Sequence, residues 1–439
     1  MRALDRSLVQ LAECKGQFDA ASASRAEKLL GRLARTRLRA PHDLIRLHEA
    51  ALFLRAYPQT ARVAQLADQT LFGFAERMRG VDPGAFDDPE VSGIAGTAVS
   101  TNFSREFAVS LARRHPGSIA IDWEDFEHPE RLGVVLGRLL PEAYEDYAVA
   151  PHADWRSWLE RSGHAARWLI EHVDSATYEL LEIPLRWELC TSSRSALRLP
   201  RKNLFYHSGP LLKRADVSIE AELSSPAIQM TRVPLERARP VLGVIVDASA
   251  ARYRELYGFQ HPDEARVFHA DLGRGVDLYF FGVRRDRRLP VHDYHAGMYF
   301  KNGVPMGYVE TLSKDSRCEV GFNLYYTFRE GETAWLYTRI LKLLHRRLRV
   351  ASFSIDPYQL GHENEEAVVS GAFWFYYKLG FRPVAAQIAT LAEKEAAKIA
   401  SRPGYRSSPA TLRRLAVVPL AYDVPPASPR LRQKRSRLA

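Results

Sequence analysis

The chain has 439 residues, of which 46% are hydrophobic, and a formal net charge of +10 at pH 7. This hydrophobic content can fill a substantial core and excludes global disorder. No apolar run approaches the roughly 18 residues that span a bilayer, so we expect no transmembrane helix and no membrane partner. The three cysteines, Cys14, Cys190 and Cys318, lie far apart. Their spacing excludes a disulfide framework and a CxxC metal site, and it is typical of a reducing cytoplasm.

Half of the positive excess lies in the last eleven residues, PRLRQKRSRLA, which contain five basic residues and no acid. This composition is typical of a solvated, disordered end, although basic tails can also bind nucleic acid or acidic surfaces. The rest of the chain is only mildly basic, so we expect no nucleic-acid binding outside the tail. The first twenty residues are amphipathic and include acids, which predicts no signal peptide and favours a cytoplasmic protein.

The first 185 residues predict an all-α helical domain. Apolar residues recur at helical spacing in three early segments, Ala23–Arg39, Pro41–Tyr57 and about 59–78. Prolines at both ends of the second segment are typical of a helix start and a helix stop. Helical spacing returns over residues 129–182, after one candidate strand at 118–123.

The rest of the chain, about 254 residues, divides into three parts by composition. Residues 186–240 are extended, basic and irregular, and we interpret them as a connector. Residues 241–400 alternate strand-like and helix-like segments, which predicts a mixed-sheet α/β domain. Residues 401–439 contain one short helix and the basic tail. The expected fold class is therefore α/β (α+β) overall, with the helical domain first.

The α/β part opens with antiparallel strands. Asn302-Gly303 separates two alternating runs, Tyr294–Lys301 and Val304–Leu312, and Asn-Gly is the preferred type I′ hairpin turn. Further strands are expected at 276–283, before the hairpin, and at 319–326, after it. These segments predict a run of antiparallel neighbours.

The segment Cys318–Pro383 is the most informative part of the chain. It predicts a strand, a turn, a helix, a strand, a loop, a helix and a strand, in that order. The helix that joins the first two strands makes a crossover, and crossovers join parallel strands. Asn364 is expected to begin the second helix, and Gly380 is expected to follow its end.

The end of this segment, Phe375-Tyr376-Tyr377-Lys378-Leu379-Gly380-Phe381, resembles the FYxKLGF ending of the GNAT-type N-acyltransferase superfamily. Asn364-Glu365-Glu366-Ala367 is similar to the NxxA helix start of that family. The resemblance covers roughly residues 265–390, and the order of the predicted strands and helices agrees with it. It implies transfer of an acyl group from acetyl-CoA, or another acyl-CoA, to the amine of a small molecule or protein.

The resemblance also implies the roles of particular residues. Tyr376 would be the acid that protonates the thiolate of coenzyme A. Glu319 and Glu310 are candidates for the base, because a carboxylate among apolar strand residues has a raised pKa that suits a base near neutral pH. His292, His295 and Asp356 are further candidates for a base or for cleft residues, but ordinary loop and turn roles are the favoured interpretation of all three.

The cofactor would bind along the central strand and the turn that follows it. Helix amides at the end of this turn would bind the pyrophosphate. The residues expected to contact coenzyme A are Asn323, Tyr325, Arg329, Gly331, Glu332, Thr333, Ala334 and Asn364. No metal site is expected, because no ligand spacing is present.

Two departures from the family pattern support an alternative function. The turn carries Glu330 and Glu332, and their charges would repel a diphosphate unless both side chains point away. Tyr376 also follows Ala367 by nine residues, where the family has about four. The alternative is a non-catalytic, GNAT-like binding or scaffold protein that has lost coenzyme A chemistry.

Overall fold

The structure is a computed structural model that describes residues 3–139 and 154–425. The predicted disordered tail lies outside these residues. Within them, the fold is α/β overall, as predicted, with a helical N-terminal region and a large mixed sheet in the C-terminal part. No helix among the described residues is both long and apolar enough to cross a membrane.

The N-terminal region begins with the predicted helices. Side-chain caps explain two of the starts, because Asp19 accepts a hydrogen bond from Ser22 N and Thr60 accepts one from Val63 N. The helices in this region are α1 Ala3–Glu13, α2 Ala20–Leu33, α3 Pro41–Ala56, α4 Ala61–Phe72, α5 Phe74–Arg77, α6 Arg105–Arg114, α7 Arg131–Leu139, α8 Trp155–Arg161, α9 Ala165–His172 and α10 Ser175–Leu181.

A small antiparallel sheet lies among these helices, in the order β1-β3-β2. Its strands are β1 Ala98–Thr101, β2 Ile119–Ile121 and β3 Leu185–Glu188. The sequence predicted only the strand around residues 118–123, so this region is helical but not purely α. The central Trp187 pairs with both neighbouring strands and is 1% exposed, so tertiary packing stabilises these short strands.

Among the described residues, the main sheet has nine strands, in the order β11-β12-β10-β9-β8-β7-β6-β5-β4. They are β4 Met230–Arg232, β5 Phe268–Gly273, β6 Val276–Gly282, β7 Asp293–Lys301, β8 Val304–Lys314, β9 Arg317–Leu324, β10 Ser352–Ile355, β11 Arg382–Pro383 and β12 Leu420–Asp423. The predicted hairpin is confirmed, since Asn302 and Gly303 both have positive φ angles, as a type I′ turn requires.

Helices pack on this sheet and connect its strands. They are α11 Ile219–Ser224, α12 Leu235–Ala250, α13 Tyr257–Gln260, α14 Thr333–Leu348, α15 Pro357–Leu360, α16 Glu365–Ser370, α17 Ala372–Lys378, α18 Ala386–Ser401 and α19 Pro409–Leu415. The predicted crossover is confirmed, because α14 connects β9 to β10 and these two strands pair in parallel. The apolar face of α14 is buried along almost its whole length.

The structure corrects three details of the C-terminal part. The helix predicted from Asn364 is two helices, α16 and α17, because Gly371 between them has a φ of 69°. The last part of the chain is more than a helix and a tail, since β12 lies between β10 and β11 in the main sheet. The expected connector, residues 186–240, contains most of β3 and all of α11 and β4, and α12 crosses its predicted end.

The strands β9 and β10 pair over only part of their length. The last paired residues are Glu319 in β9 and Ser354 in β10, and β10 ends at Ile355, whereas β9 continues to Leu324. The backbone edge of β9 beyond Glu319 is therefore not covered by β10. This uncovered edge positions the candidate site.

Candidate functional site

A cavity of about 560 Å³ lies beside the uncovered edge of β9, between that strand and the helices α15 to α17. It brings together seven of the eleven residues that the sequence analysis assigned to catalysis or cofactor binding. They are Glu310, Glu319, Asn323, Arg329, Thr333, Asn364 and Tyr376. The outermost two, Glu310 and Tyr376, are about 66 positions apart in the sequence, so the fold brings these residues together.

The other four assigned residues do not line this cavity. Tyr325 is buried, and the guanidinium group of Arg252 lies 3.9 Å from its ring centroid. Ala334 is 5% exposed within the core. Gly331 packs against the N-terminal region, because a Cβ atom built on it would approach the Tyr57 hydroxyl to 2.6 Å.

Glu332 is the fourth, and its side chain points away from the cavity into a buried ionic cluster. Its carboxylate accepts a hydrogen bond of 2.9 Å from Arg274 Nε and lies 3.7 Å from Lys301 Nζ. Glu330 points away as well, since it pairs with Lys15 at 2.8 Å and its side chain is 72% exposed. The expected repulsion between these two acids and a diphosphate therefore does not arise in the cavity.

The N-terminus of α14 borders the same cavity through its first residue, Thr333. The first backbone hydrogen bond of this helix runs from Leu336 N to Glu332 O, so the amides of residues 333–335 precede it. Thr333 and Arg329 line the cavity at this point. Unpaired helix amides and a guanidinium group form a suitable environment for an anion, although Arg329 already pairs with Glu366.

The two candidate bases lie on one face of the sheet. In the antiparallel register Glu310 is opposite Gly321, and Leu312 is opposite Glu319, so both carboxylates project to the same side. Burial raises the pKa of Glu310, and a hydrogen bond from the Tyr294 hydroxyl opposes this shift. Burial and then the Asp356 carboxylate raise the pKa of Glu319. Both shifts favour proton acceptance closer to neutral pH.

Tyr376 lies in α17 and is 4% exposed. Its ring packs edge-on against Tyr337, with 5.5 Å between the ring centroids, and against Phe381. Burial raises the pKa of Tyr376, so the phenol is protonated near neutral pH. A buried, protonated phenol at the wall of a cavity can donate a proton or a hydrogen bond.

Asn364 has a structural role in addition to its position beside the cavity. Its side-chain oxygen caps α16 by accepting a hydrogen bond of 3.2 Å from Ala367 N. Its side-chain amide donates to Tyr358 O at 3.1 Å. The predicted helix start is therefore confirmed.

Gln359 is a cavity residue that the sequence analysis did not identify. Its side-chain oxygen accepts a hydrogen bond of 3.1 Å from Phe322 N, and its nitrogen donates to Val320 O at 3.2 Å. The side chain thus continues the hydrogen bonding of the β9 edge where β10 has ended. The two-residue alternation of the strand directs the Leu324 N–H to the same edge, farther along.

Tyr294, Tyr308, Arg254 and Glu366 also line the cavity and were not predicted. The alternation of the two central strands could have identified Tyr294 and Tyr308, because they share a sheet face with Glu310. Arg254 had no such signal, since it enters from the turn after α12. Of the further candidates, Asp356 lines this cavity, whereas His292 and His295 line a different one.

Comparisons with protein-family models, with curated protein sequences and with solved structures find no match to this chain. Within residues 3–139 and 154–425, no group of three or more His, Cys, Asp or Glu side chains could hold a metal ion.

Proposed function

We propose that the chain is an acyl-CoA-dependent N-acyltransferase of the GNAT type, acting in the cytoplasm. The observation that supports this most is one cavity that joins four features. They are an uncovered strand edge, a helix N-terminus, two carboxylates with raised pKa values, and a buried phenol. Each feature can serve acyl transfer from a thioester to an amine, as an oxyanion donor, a site for the diphosphate, a base or an acid.

In the proposed reaction, the diphosphate of acyl-CoA binds near Thr333 and Arg329, at the N-terminus of α14. The acyl thioester lies along the edge of β9, where the Leu324 N–H can stabilise the developing oxyanion. Glu310 or Glu319 accepts the proton of the attacking amine. The C–N bond forms, the C–S bond breaks, and Tyr376 protonates the departing thiolate.

Thermal unfolding with acyl-CoAs tests the cofactor directly. A ligand that binds only the folded state raises the melting temperature as its concentration exceeds its dissociation constant. We expect acetyl-CoA, or a longer acyl-CoA, to raise it, and free coenzyme A to do so less. No change at millimolar concentrations would refute cofactor binding.

Replacing Tyr376 by Phe tests the acid. We expect turnover to fall by about 100-fold, which is typical for the loss of a general acid, with little change in stability. Tyr377→Phe is the matched control, because Tyr377 lies next to it in α17 but does not line the cavity. Equal turnover of the two variants would remove Tyr376 from the mechanism.

A non-catalytic binding function is the second candidate, and Gln359 is the observation that favours it. Its side chain already bonds part of the strand edge that a thioester would use. If acyl-CoA binds but no amine is acylated, and Gln359→Ala strengthens binding without producing turnover, the binding function is the better description. If the unaltered chain acylates any primary amine, the acyltransferase function is the correct one.

A further inference from the structure

We propose that a second cavity in this protein binds a small organic anion, in which a phosphate or carboxylate group is attached to a planar body. The cavity has a volume of about 290 Å³ and is lined by the ends of β5, β6 and β7, the β6–β7 loop, and the C-terminal turn of α14. Its main wall includes His295, which follows Tyr294 in β7 and so projects from the other face of the sheet. The proposal does not depend on the acyltransferase function.

Three arginines from separate segments converge on this cavity. Arg266 precedes β5, Arg288 lies in the β6–β7 loop, and Arg347 lies in the last turn of α14. All three act electrostatically on the His295 ring. Arg288 lies 3.9 Å from the Asp263 carboxylate, whereas Arg266 and Arg347 have no ion-pair partner in the described part of the chain.

Two acids also line the cavity, Asp263 and Asp293. Three guanidinium groups against two carboxylates leave an excess of one positive charge. Guanidinium groups without a carboxylate partner favour a phosphate or a carboxylate, because their paired N–H groups match its oxygens. An anion that binds between Arg266 and Arg347 would supply the partner that the protein does not.

The walls favour a flat ligand. The His295 ring stacks on Phe280, with 5.2 Å between centroids and an interplanar angle of 9°. The guanidinium group of Arg347 lies over the ring of Phe268, 4.8 Å from its centroid. Flat aromatic and guanidinium surfaces pack well against a planar body.

His295 can take part as a hydrogen-bonding group. Its Nδ1 atom is buried and has no hydrogen-bond partner within residues 3–139 and 154–425. Burial lowers the pKa of His295, and the three arginines lower it further, whereas Asp293 raises it. The ring is therefore neutral near pH 7, with one nitrogen as a donor and the other as an acceptor.

Four probes that share a benzene ring test the proposal with the full-length chain. Phenyl phosphate and benzoate carry an anion, phenol is neutral, and benzylamine is a cation. Binding is followed by the NMR signals of the histidine rings, with the His295 signal assigned through a His295→Gln variant. We expect at least one of the two anions to move the His295 signal, and phenol and benzylamine to leave it unchanged at the same concentration.

Arginine variants then locate the anion. Arg347→Gln and Arg266→Gln should each weaken binding of the active probe by about tenfold, and Arg285→Gln should leave it unchanged within about twofold. Arg285 is the control because it lies in the β6–β7 loop, as Arg288 does, but does not line the cavity. If Arg347→Gln disturbs folding through its contact with Phe268, the Arg266→Gln variant decides the result.

Two outcomes would overturn the proposal. If phenol binds as tightly as the anions, the cavity recognises only the apolar ring. If Arg347→Gln and Arg266→Gln both leave binding of the anionic probe unchanged, the anion binds elsewhere. Binding that is lost in Arg329→Gln instead would assign the anion to the N-terminus of α14. Acyl-CoA binding should be the same in Arg347→Gln as in the unaltered chain, so the two proposals can fail separately. The affinities of phenyl phosphate and benzoate, compared with each other, show which anionic group the cavity prefers.

Discussion

The turn between β9 and α14 has two sides with opposite physical character. On the inner side, Glu332 is 3% exposed and is held by Arg274 and Lys301. On the outer side, Arg329 and Thr333 border the cavity, and Arg329 pairs with Glu366 where both side chains are more than a third exposed. One short segment therefore contains both a buried ionic anchor and an accessible surface.

This difference explains why an acidic turn is compatible with an anion site. In the sequence, Glu330 and Glu332 flank Gly331 and predict repulsion of a diphosphate. In the structure, the cations that neutralise them come from distant parts of the chain, Lys15 for Glu330 and Arg274 with Lys301 for Glu332. Local charge is thus a poor guide to the charge that a ligand would meet.

The largest expected effect comes from the inner side. Below about pH 7, where Lys301 is protonated, Glu332→Gln leaves this fully buried ammonium without its carboxylate, and breaking a buried pair from one side costs up to about 3–5 kcal/mol. Urea denaturation should show this as a lower free energy of unfolding. The double variant Glu332→Gln/Lys301→Met should be more stable than the sum of the two single effects predicts. Additive effects would contradict the pairing.

The second prediction concerns pH. Burial lowers the pKa of Lys301 from 10.5 to about 7, and Glu332 opposes this shift. Because the folded-state pKa is the lower one, the unfolded state binds more protons between about pH 7 and pH 10, so this group makes stability rise with pH there. The slope is at most about 1.4 kcal/mol per pH unit. Lys301→Met should flatten the curve of unfolding free energy against pH, and an unchanged curve would contradict a low pKa.

On the outer side, Arg329→Gln should change stability by less than about 1 kcal/mol, because its ion pair with Glu366 is solvent-exposed. It should weaken acyl-CoA binding by about tenfold, through the loss of a charged hydrogen bond. Arg413→Gln is a matched control, since Arg413 forms a similar exposed pair with the neighbouring Glu365 and does not line the cavity. Equal affinities of the two variants in calorimetry would remove Arg329 from the site.

The smallest effect is expected for Glu330→Gln. Its carboxylate pairs with Lys15 but is 72% exposed, so the free energy of unfolding should change by no more than about 0.5 kcal/mol. Acyl-CoA affinity should also stay the same, because Glu330 does not line the cavity. A gain in affinity would show that this charge does reach the cofactor, and the contrast between the two sides would then be weaker.

Part of the candidate site could be predicted from the chain alone. Alternation along β8 and β9 identified Glu310 and Glu319 as carboxylates among apolar strand residues, and the antiparallel register of the structure then places both on one sheet face. Gln359 could not be predicted, because its contacts with Phe322 and Val320 depend on β10 ending early and α15 turning back over the strand edge. Gly331 and Glu332 were assigned to the cofactor, but Gly331 packs against Tyr57 of the N-terminal region and Glu332 is held by Arg274 and Lys301.

The sequence by itself determined the features that depend on local physical chemistry. The hairpin at Asn302-Gly303 follows from turn preferences, the helix start at Asn364 from capping, and the β9–α14–β10 crossover from hydrophobic periodicity. Only the tertiary structure decided where β12 pairs, which side of the turn faces the cavity, and which cations neutralise its acids. These depend on contacts between residues that are far apart in the chain, and no local pattern encodes such contacts.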